Sequence, residues 1–138
     1  MEQNNFDILA REWFEKGSHD LDEARLSLKA GGWTDIICFH CQQAAEKYLK
    51  GFLVAKGVNV GKMKKMRIHD LTKLWSECHK LDRSFASVEE ECIVLNPYYI
   101  EPRYPLGAPK VYTKMEARQA LQAAEKIIKF ILEESEPA

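Results

Sequence analysis

Apolar side chains recur every three or four positions along most of this chain, the spacing that places them on one face of a helix. In residues 5–30 the repeat consists of Phe6, Leu9, Ala10, Trp13, Phe14, Leu21, Ala24 and Leu28. Gly17 and Ser18 fall inside this repeat, so the pattern predicts either a kinked helix or a second start with Ser18 as the N-cap. Gly31 and Gly32 end the predicted helix, as glycine commonly does just past a helix C-terminus.

The same repeat predicts a second helix from about residue 34 to residue 56, where Gly57 ends it. Residues 58–68 follow, and the four Lys and Arg side chains within residues 62–67 predict a basic loop. Because the whole chain is not basic, we expect this loop to be a solvated turn and not an RNA contact. A third helix is predicted to begin at His69-Asp70, with Asp70 as its N-cap.

Two later segments have the pattern of a capping box, in which a Ser or Thr and a Glu three residues later bond each other's exposed amides. Residues 87–90 predict the start of a fourth helix that ends before Pro97, and residues 113–116 predict the start of the last helix. A proline-rich loop lies between them. No stretch alternates with a period of two for long enough to predict a strand. Helices of these lengths, joined mostly by short turns, predict an all-α antiparallel bundle.

The second helix carries a polar stripe. At about 100° per residue, His40, Glu46, Lys47 and Lys50 all fall within about 60° of Gln43. Apolar residues border this stripe and also form a broad opposite face, so both sides of the helix have surface to bury. Such a stripe is typical of a cleft lining or a subunit interface. The alternative is a solvated face, on which Glu46 and Lys50 form an ordinary pair one turn apart.

Length, composition and net charge narrow the classes of protein to which this chain could belong. A length of 138 residues predicts one domain, residues 1–138, and 46% hydrophobic with 30% charged residues is typical of a globular protein. The net charge of −1 gives no electrostatic footprint for nucleic acid. The first residues lack the pattern of a signal peptide, and no apolar run approaches the ~20 residues that span a bilayer. We therefore expect a soluble, cytoplasmic protein that does not contact a membrane.

The four cysteines invite a metal or redox interpretation, because Cys38 and Cys41 have the C-x-x-C spacing. On a helix, however, both thiols lie on the face that also carries apolar residues. Cys78 and Cys92 likewise have apolar neighbours, and free cysteine behaves as a small buried hydrophobe. We expect four packing cysteines, no metal and no cofactor.

Four blocks of sequence resemble the HEPN domain family. They are the DL-x2-A pattern at residues 20–24, QQAAEKYLKGFL at residues 42–53, HDL at residues 69–71 and RYP at residues 103–105. They have the family's order and spacing, and together they cover most of the chain. The resemblance implies an all-α bundle with a four-helix up-and-down core and an additional short helix, usually dimeric. It is similar in particular to small stand-alone prokaryotic members, which are often encoded beside a minimal nucleotidyltransferase.

Many members of this family are metal-independent RNases with an Arg-x4–6-His motif. Histidine can transfer a proton near neutral pH, and arginine can hold the scissile phosphate. This chain departs from the motif: none of His19, His40, His69 and His79 follows an arginine by five to seven positions. Arg103, at the matching late position, has no histidine after it. We therefore assign no catalytic residue by the family's route.

The resemblance and the stripe together predict a ligand site. Its residues are Gln43, Glu46, Lys47, Lys50, His69, Asp70, Arg103 and Tyr104. Arginine among tyrosines could hold a phosphate and a stacked base. In the competing interpretation His69-Asp70 caps a helix, and Arg103 pairs with a carboxylate, such as Glu46 or Asp70, within a rigid connector.

We predict a homodimeric HEPN-type module that binds a nucleotide or a protein. In the context that the resemblance implies, its partner is a minimal nucleotidyltransferase in a toxin–antitoxin-like pair, and Tyr104 is the candidate acceptor of a transferred AMP. The first alternative is a divergent metal-independent RNase in which His69 replaces the missing histidine. The second is a structural dimer that scaffolds its partner. RNA as a ligand has no support from the net charge.

Overall fold

The computed structural model describes residues 5–61, 69–99 and 112–135. These residues form five α-helices: α1 (Asn5–Lys29), α2 (Thr34–Ala55), α3 (Leu71–Leu81), α4 (Glu89–Leu95) and α5 (Lys114–Ser135). Two 3-10 helices, Arg83–Val88 and Asn96–Tyr99, flank α4. The described residues contain no strand, and the predicted all-α helical bundle is confirmed.

The central helix of the bundle is α2, which packs against each of the other four α-helices. It runs antiparallel to α1, because Gly51 near its end meets Phe14 while His40 nearer its start meets Asp20. In a second antiparallel pair, the segment that contains α4 lies along α5, with Lys126 bonded to Glu91. Within the described residues, no helix combines the length and the hydropathy that a bilayer span requires.

Two glycines bring α1 and α2 close together. A Cβ on Gly17 would lie 2.6 Å from Cδ2 of Tyr48, and a Cβ on Gly51 would lie 2.5 Å from Cε1 of Phe14. The rings of Phe14 and Tyr48 stack at a centroid distance of 5.0 Å, and the hydroxyls of Ser18 and Tyr48 are 2.6 Å apart. Helix α1 continues without interruption through Gly17 and Ser18, so the helix does not restart at Ser18. The glycine serves the packing of two helices, which explains why it interrupts the apolar repeat.

The four cysteines are free thiols in the hydrophobic core. Burial raises the pKa of Cys38 and of Cys92 to about 12 and also raises the pKa of Cys41 and Cys78. Their surroundings therefore favour the neutral thiol over the reactive thiolate. The predicted packing role is confirmed.

Two of the predicted helix starts are confirmed in detail. The carboxylate of Asp70 accepts hydrogen bonds from the backbone amides of Thr72 and Lys73 at the start of α3. At the start of α5, the amide of Thr113 donates to Oε1 of Glu116 at 3.2 Å, while the amide of Glu116 donates to Oγ1 of Thr113 at 3.0 Å. Both caps satisfy amides that the helix itself leaves unbonded.

The predicted capping box at Ser87 is wrong. Ser87 lies inside the 3-10 helix Arg83–Val88, which begins one turn earlier because Asp82 caps it through the amide of Ser84. The following helix, α4, starts directly from this turn, and its N-cap residue Val88 makes no side-chain hydrogen bond. The upstream cap at Asp82 therefore determines where the helical backbone begins.

Candidate functional site

A buried carboxylate lies within the polar stripe of α2. Glu46 is 3% exposed, and each of its oxygens has a partner. Lys50 donates from Nζ to Oε2 at 3.1 Å, and Nδ1 of His69 lies 2.7 Å from Oε1. Gln42 donates from Nε2 to the backbone oxygen of His69 at 3.0 Å and makes a longer contact of 3.5 Å with Oε1. We call these four residues the Glu46 cluster.

The solvated-face alternative for Glu46 and Lys50 does not describe this pair, since both side chains are buried. A buried carboxylate is costly unless charges or donors compensate it, and here an ammonium, an imidazole and an amide do so. Glu46 thus ties α2 to the residues that lead into α3, and its position depends on a second segment of the chain.

His69 is the exposed member of the Glu46 cluster, with half of its side chain accessible. Because a carboxylate can only accept, the nitrogen that faces Glu46, Nδ1, carries a proton. In the neutral ring Nε2 is then the acceptor, and no residue in the described part of the chain bonds to it. A carboxylate that fixes the tautomer and orientation of a histidine in this way is a recurrent arrangement in sites that use the second nitrogen.

A second carboxylate, Asp20 of α1, borders the other side of the stripe. Nδ1 of His40 lies 2.9 Å from its Oδ1, and Lys47 donates to its Oδ2. Burial alone would raise the pKa of Asp20, but the hydrogen bonds from His40 and Lys47 outweigh that effect and the net pKa is lowered. Like Glu46, Asp20 therefore bridges one histidine and one lysine.

Gln43 is partly buried and donates from Nε2 to Oε1 of its neighbour Gln42 at 2.8 Å. Gln42 was not among the predicted site residues, although it is fully buried and contacts His69. The signal that could have identified it is its spacing of four positions from Glu46, which places both on one side of the helix.

The remaining predicted site residues are less closely joined. The carboxylate of Asp70 is used in capping α3; the hydrogen bond from the Thr72 hydroxyl is the main cause that lowers its pKa. Arg103 and Tyr104 lie outside the described residues, as does the basic segment 62–67. Glu46, Lys50 and His69 are therefore brought together, and Gln43 is joined to them through Gln42. Lys47 belongs to the Asp20 side, and convergence with Arg103 stays a prediction.

Tyr98, in the 3-10 helix that follows α4, packs edge-to-face against Tyr112 with ring centroids 4.9 Å apart. Burial raises the pKa of Tyr98 to about 12. Tyr98 thus serves to hold the end of the 3-10 helix after α4 against the start of α5.

A cavity of about 440 Å³ lies between α1, the end of α2 and the turn that follows α2. We call it the Trp13 pocket. Leu9 and Trp13 of α1, Val54 of α2, and Val58 and Val60 of the following turn provide its apolar lining. In the described residues, no group of three or more His, Cys, Asp and Glu side chains is arranged to hold a metal ion.

A family model, a named relative and a solved structure each match most of this chain. The family model described as "HEPN domain" matches residues 10–135. A protein of Methanocaldococcus jannaschii named "Putative toxin MJ1304" is 29% identical over 151 residues, which cover 95% of this chain and 91% of that protein. The crystal structure of ST0689, described as an archaeal HEPN homologue, is 27% identical with a TM-score of 0.70, and the match covers 91% of this chain and 96% of that one.

Proposed function

This chain belongs to the HEPN domain family, and from this premise we propose that it is the HEPN component of a two-component, toxin–antitoxin-like pair. Its partner in this proposal is a minimal nucleotidyltransferase, and its small-molecule ligand is a nucleotide. The observation that carries the proposal is the similarity, over nearly the full length of both chains, to the toxin-named relative from Methanocaldococcus jannaschii. Similarity of this extent concerns the whole domain and is not limited to a shared motif.

The contact surface in this proposal is the polar stripe of α2. Gln43 and Lys47 are partly exposed; Lys47 donates to Asp20, and Gln43 donates to Gln42 of the Glu46 cluster, whose His69 ring is half-exposed. A stripe of hydrogen-bonding groups fixed by buried carboxylates is preorganised, so binding it costs little additional side-chain ordering. We also propose that two copies of the chain pair, as is usual for relatives of this kind.

Co-purification tests the partner. The chain is co-expressed with a minimal nucleotidyltransferase encoded beside it, and only the HEPN component carries an affinity tag. We expect stoichiometric capture by the parent chain and weak capture by Gln43→Arg, because a larger charged side chain then stands in the centre of the stripe. The matched control is Gln119→Arg on the exposed side of α5, which should capture the partner like the parent. Absence of capture by the folded parent chain contradicts the proposal.

A second candidate function, metal-independent RNA cleavage, is favoured by one observation: Glu46 holds the ring of His69 with its second nitrogen unbonded by described residues. A histidine held in this way could accept the proton of an attacking hydroxyl. Here the assay is a mixed RNA pool incubated with the protein in the presence of a chelator. If the candidate is correct, His69→Ala lowers the cleavage rate on the order of 10²-fold or more. His19→Ala, a change at an exposed histidine of α1, leaves the rate unchanged.

The outcome separates the two functions. RNA that survives the parent chain excludes this candidate and leaves the binding function. Cleavage that is unaffected by His69→Ala excludes His69 as the proton acceptor. An Arg103→Ala variant in the same series tests whether the late arginine takes part.

A further inference from the structure

One face of α1 lines the Trp13 pocket. The residues that it contributes have the i, i+3, i+4, i+7 spacing that places side chains on one side of a helix, and they are Leu9, Glu12, Trp13 and Lys16. The three valines at the end of α2 and in the turn after it provide the rest of the apolar lining. The pocket thus has apolar walls, and both of its charged residues lie on the same helix face.

The two charged residues of the lining, Glu12 and Lys16, lie at the mouth of the pocket, since both are exposed. They are one helical turn apart with the acid first, the order that favours an ion pair within a helix. Within the described residues, however, neither side chain makes an ion pair or a hydrogen bond. A carboxylate and an ammonium beside the apolar cavity are therefore both available to a ligand.

The size of the pocket is that of a small-molecule site. Such sites typically enclose about 300–1,000 Å³ and have mostly apolar walls with a few polar groups that fix the orientation of the ligand. The Trp13 pocket, at about 440 Å³, fits this description. Its walls would bury the apolar part of a ligand, and the indole of Trp13 adds favourable contacts with an aromatic ring.

The opposite charges at the mouth favour a ligand that carries both signs of charge. A ligand with a single charge is attracted by one of the two groups and repelled by the other, whereas an ammonium and a carboxylate together can pair with both. The side chains of Glu12 and Lys16 are long and exposed, so their ends can approach groups that lie closer together than one helical turn. An α-amino acid with a large apolar side chain combines an apolar body with two opposite charges on one carbon atom.

We propose that the Trp13 pocket binds a free α-amino acid with a large apolar side chain. The side chain of the ligand lies between Trp13 and the valines, Glu12 accepts hydrogen bonds from its ammonium, and Lys16 donates to its carboxylate. This site goes beyond the proposed function, because it requires neither the partner protein nor a nucleotide.

The test uses the full chain with L-phenylalanine as the probe and NMR observation of the three tryptophan indole N–H signals. We expect a saturable shift of the Trp13 signal at millimolar L-phenylalanine. The signals of Trp33, at the exposed turn before α2, and of Trp75, whose indole donates to the backbone oxygen of Phe85, should stay in place. Glycine, which has both charges but no apolar side chain, should move none of the three signals at the same concentration.

Two analogues of the probe test the recognition of its charges. N-acetyl-L-phenylalanine lacks the ammonium, and L-phenylalaninamide lacks the carboxylate. Each should bind about twofold to fivefold more weakly than L-phenylalanine, the effect of one lost ion pair at an exposed site.

Variants of the two charged residues assign these preferences. Glu12→Gln should no longer distinguish L-phenylalanine from its N-acetyl analogue, and Lys16→Gln should no longer distinguish it from the amide. The matched control is Glu15→Gln, at an exposed position of α1 that does not line the pocket, and it should keep both preferences.

Two further variants locate the apolar part of the ligand. Val58→Phe places a ring in the pocket and should weaken binding of L-phenylalanine by at least about tenfold, because the space is then filled. Val94→Phe makes the same change at an exposed position of α4 and should not weaken it. Thermal unfolding of each variant confirms that it is folded.

The inference is overturned by an unmoved Trp13 signal, by equal shifts of all three tryptophans, or by binding that Val58→Phe leaves intact. Equal affinity for L-phenylalanine and both analogues would show an apolar pocket that does not read the charges, and would also contradict it. If the amide binds as tightly as L-phenylalanine and only acetylation weakens binding, the occupant is the amino end of a peptide, and the free amino acid is rejected.

Discussion

The carboxylate of Glu46 is almost entirely buried, and three neighbouring residues compensate its negative charge. Lys50 supplies the opposite charge, His69 supplies a hydrogen bond from the start of α3, and Gln42 reaches both Glu46 and the backbone of His69. Removal of one partner of a buried ion pair leaves the other charge buried and uncompensated, which costs far more than loss of an exposed pair. Truncation of one member of the Glu46 cluster should therefore lower the free energy of unfolding more than truncation of an exposed pair does.

Replacement of Lys50 by Met tests this at the residue scale. The change keeps the apolar stem but removes the ammonium, so we expect the free energy of unfolding to fall by about 3 kcal/mol. Arg25→Met is the control, since it breaks the ion pair with Glu125, in which the two side chains are 49% and 39% exposed, and it should cost less than about 1 kcal/mol. Urea unfolding followed by circular dichroism measures both.

The double variant Glu46→Gln with Lys50→Met should recover part of the loss, because the uncompensated charge is then absent. Equal losses for Lys50→Met and Arg25→Met would mean that breaking the buried pair costs no more than breaking an exposed pair.

At the scale of elements, the approach of α1 to α2 depends on two positions that lack a side chain. Gly17 admits the ring of Tyr48, and Gly51 admits the ring of Phe14. This close packing also brings Trp13 over Lys50, so the same helix pair that builds the core positions one wall of the Trp13 pocket. Glycine inside a helix normally weakens it by about 1 kcal/mol relative to alanine, and here close contact offsets that cost.

Gly51→Ala should therefore destabilise the protein in spite of its gain in helix propensity. The new Cβ would lie 2.5 Å from Cε1 of Phe14 and 3.2 Å from Cβ of Trp13, so the two helices must separate or the ring must leave its place. We expect a net loss of about 1–2 kcal/mol, measured by thermal or urea unfolding. In a Phe14→Ala background, where the space is free, the same change should become neutral or stabilising. A rise in stability from Gly51→Ala alone would refute this account.

These elements also show how far the sequence could predict the structure. Helix periodicity and the caps at Asp70 and Thr113 act within a few residues, and they were predicted correctly. Ser87 failed because the turn capped by Asp82 competes with it upstream. The role of Gly17 could not be predicted, because the ring that requires a glycine there belongs to Tyr48, thirty-one positions away in the chain.

The same distinction holds for the candidate site. The angle around α2 correctly placed Gln43, Glu46, Lys47 and Lys50 on one stripe, since that requires only the geometry of a helix. It could not show that Glu46 and Lys50 are buried, because the groups that cover them come from α1 and from the segment before α3. His69 was singled out by its motif, but only the fold shows that its Nδ1 faces a carboxylate.

At the scale of the whole molecule, one end of the bundle exposes large apolar side chains. Trp33 is 77% exposed, and Ile36 and Met115 are also exposed. They lie at the same end because Thr34 donates from Oγ1 to the backbone oxygen of Tyr112, which joins the start of α2 to the start of α5. Exposed tryptophan is typical of the centre of a protein interface, where it contributes more binding energy than most residues. The face adjoins the polar stripe, since Ile36 lies one turn before His40.

If two copies pair through this end, a charge at Trp33 should separate them. The parent chain should sediment with about twice the monomer mass of 15.9 kDa, and Trp33→Glu should weaken the dimer on the order of tenfold or more, because an unpaired carboxylate would then be buried in the contact. Ile93→Glu introduces the same charge at an exposed apolar position of α4 and should leave the dimer intact. A parent chain that stays monomeric at high concentration would contradict the dimer itself. A stable dimer of Trp33→Glu would place the contact on another face. The polar stripe would then be the next surface to test, with the Gln43→Arg variant.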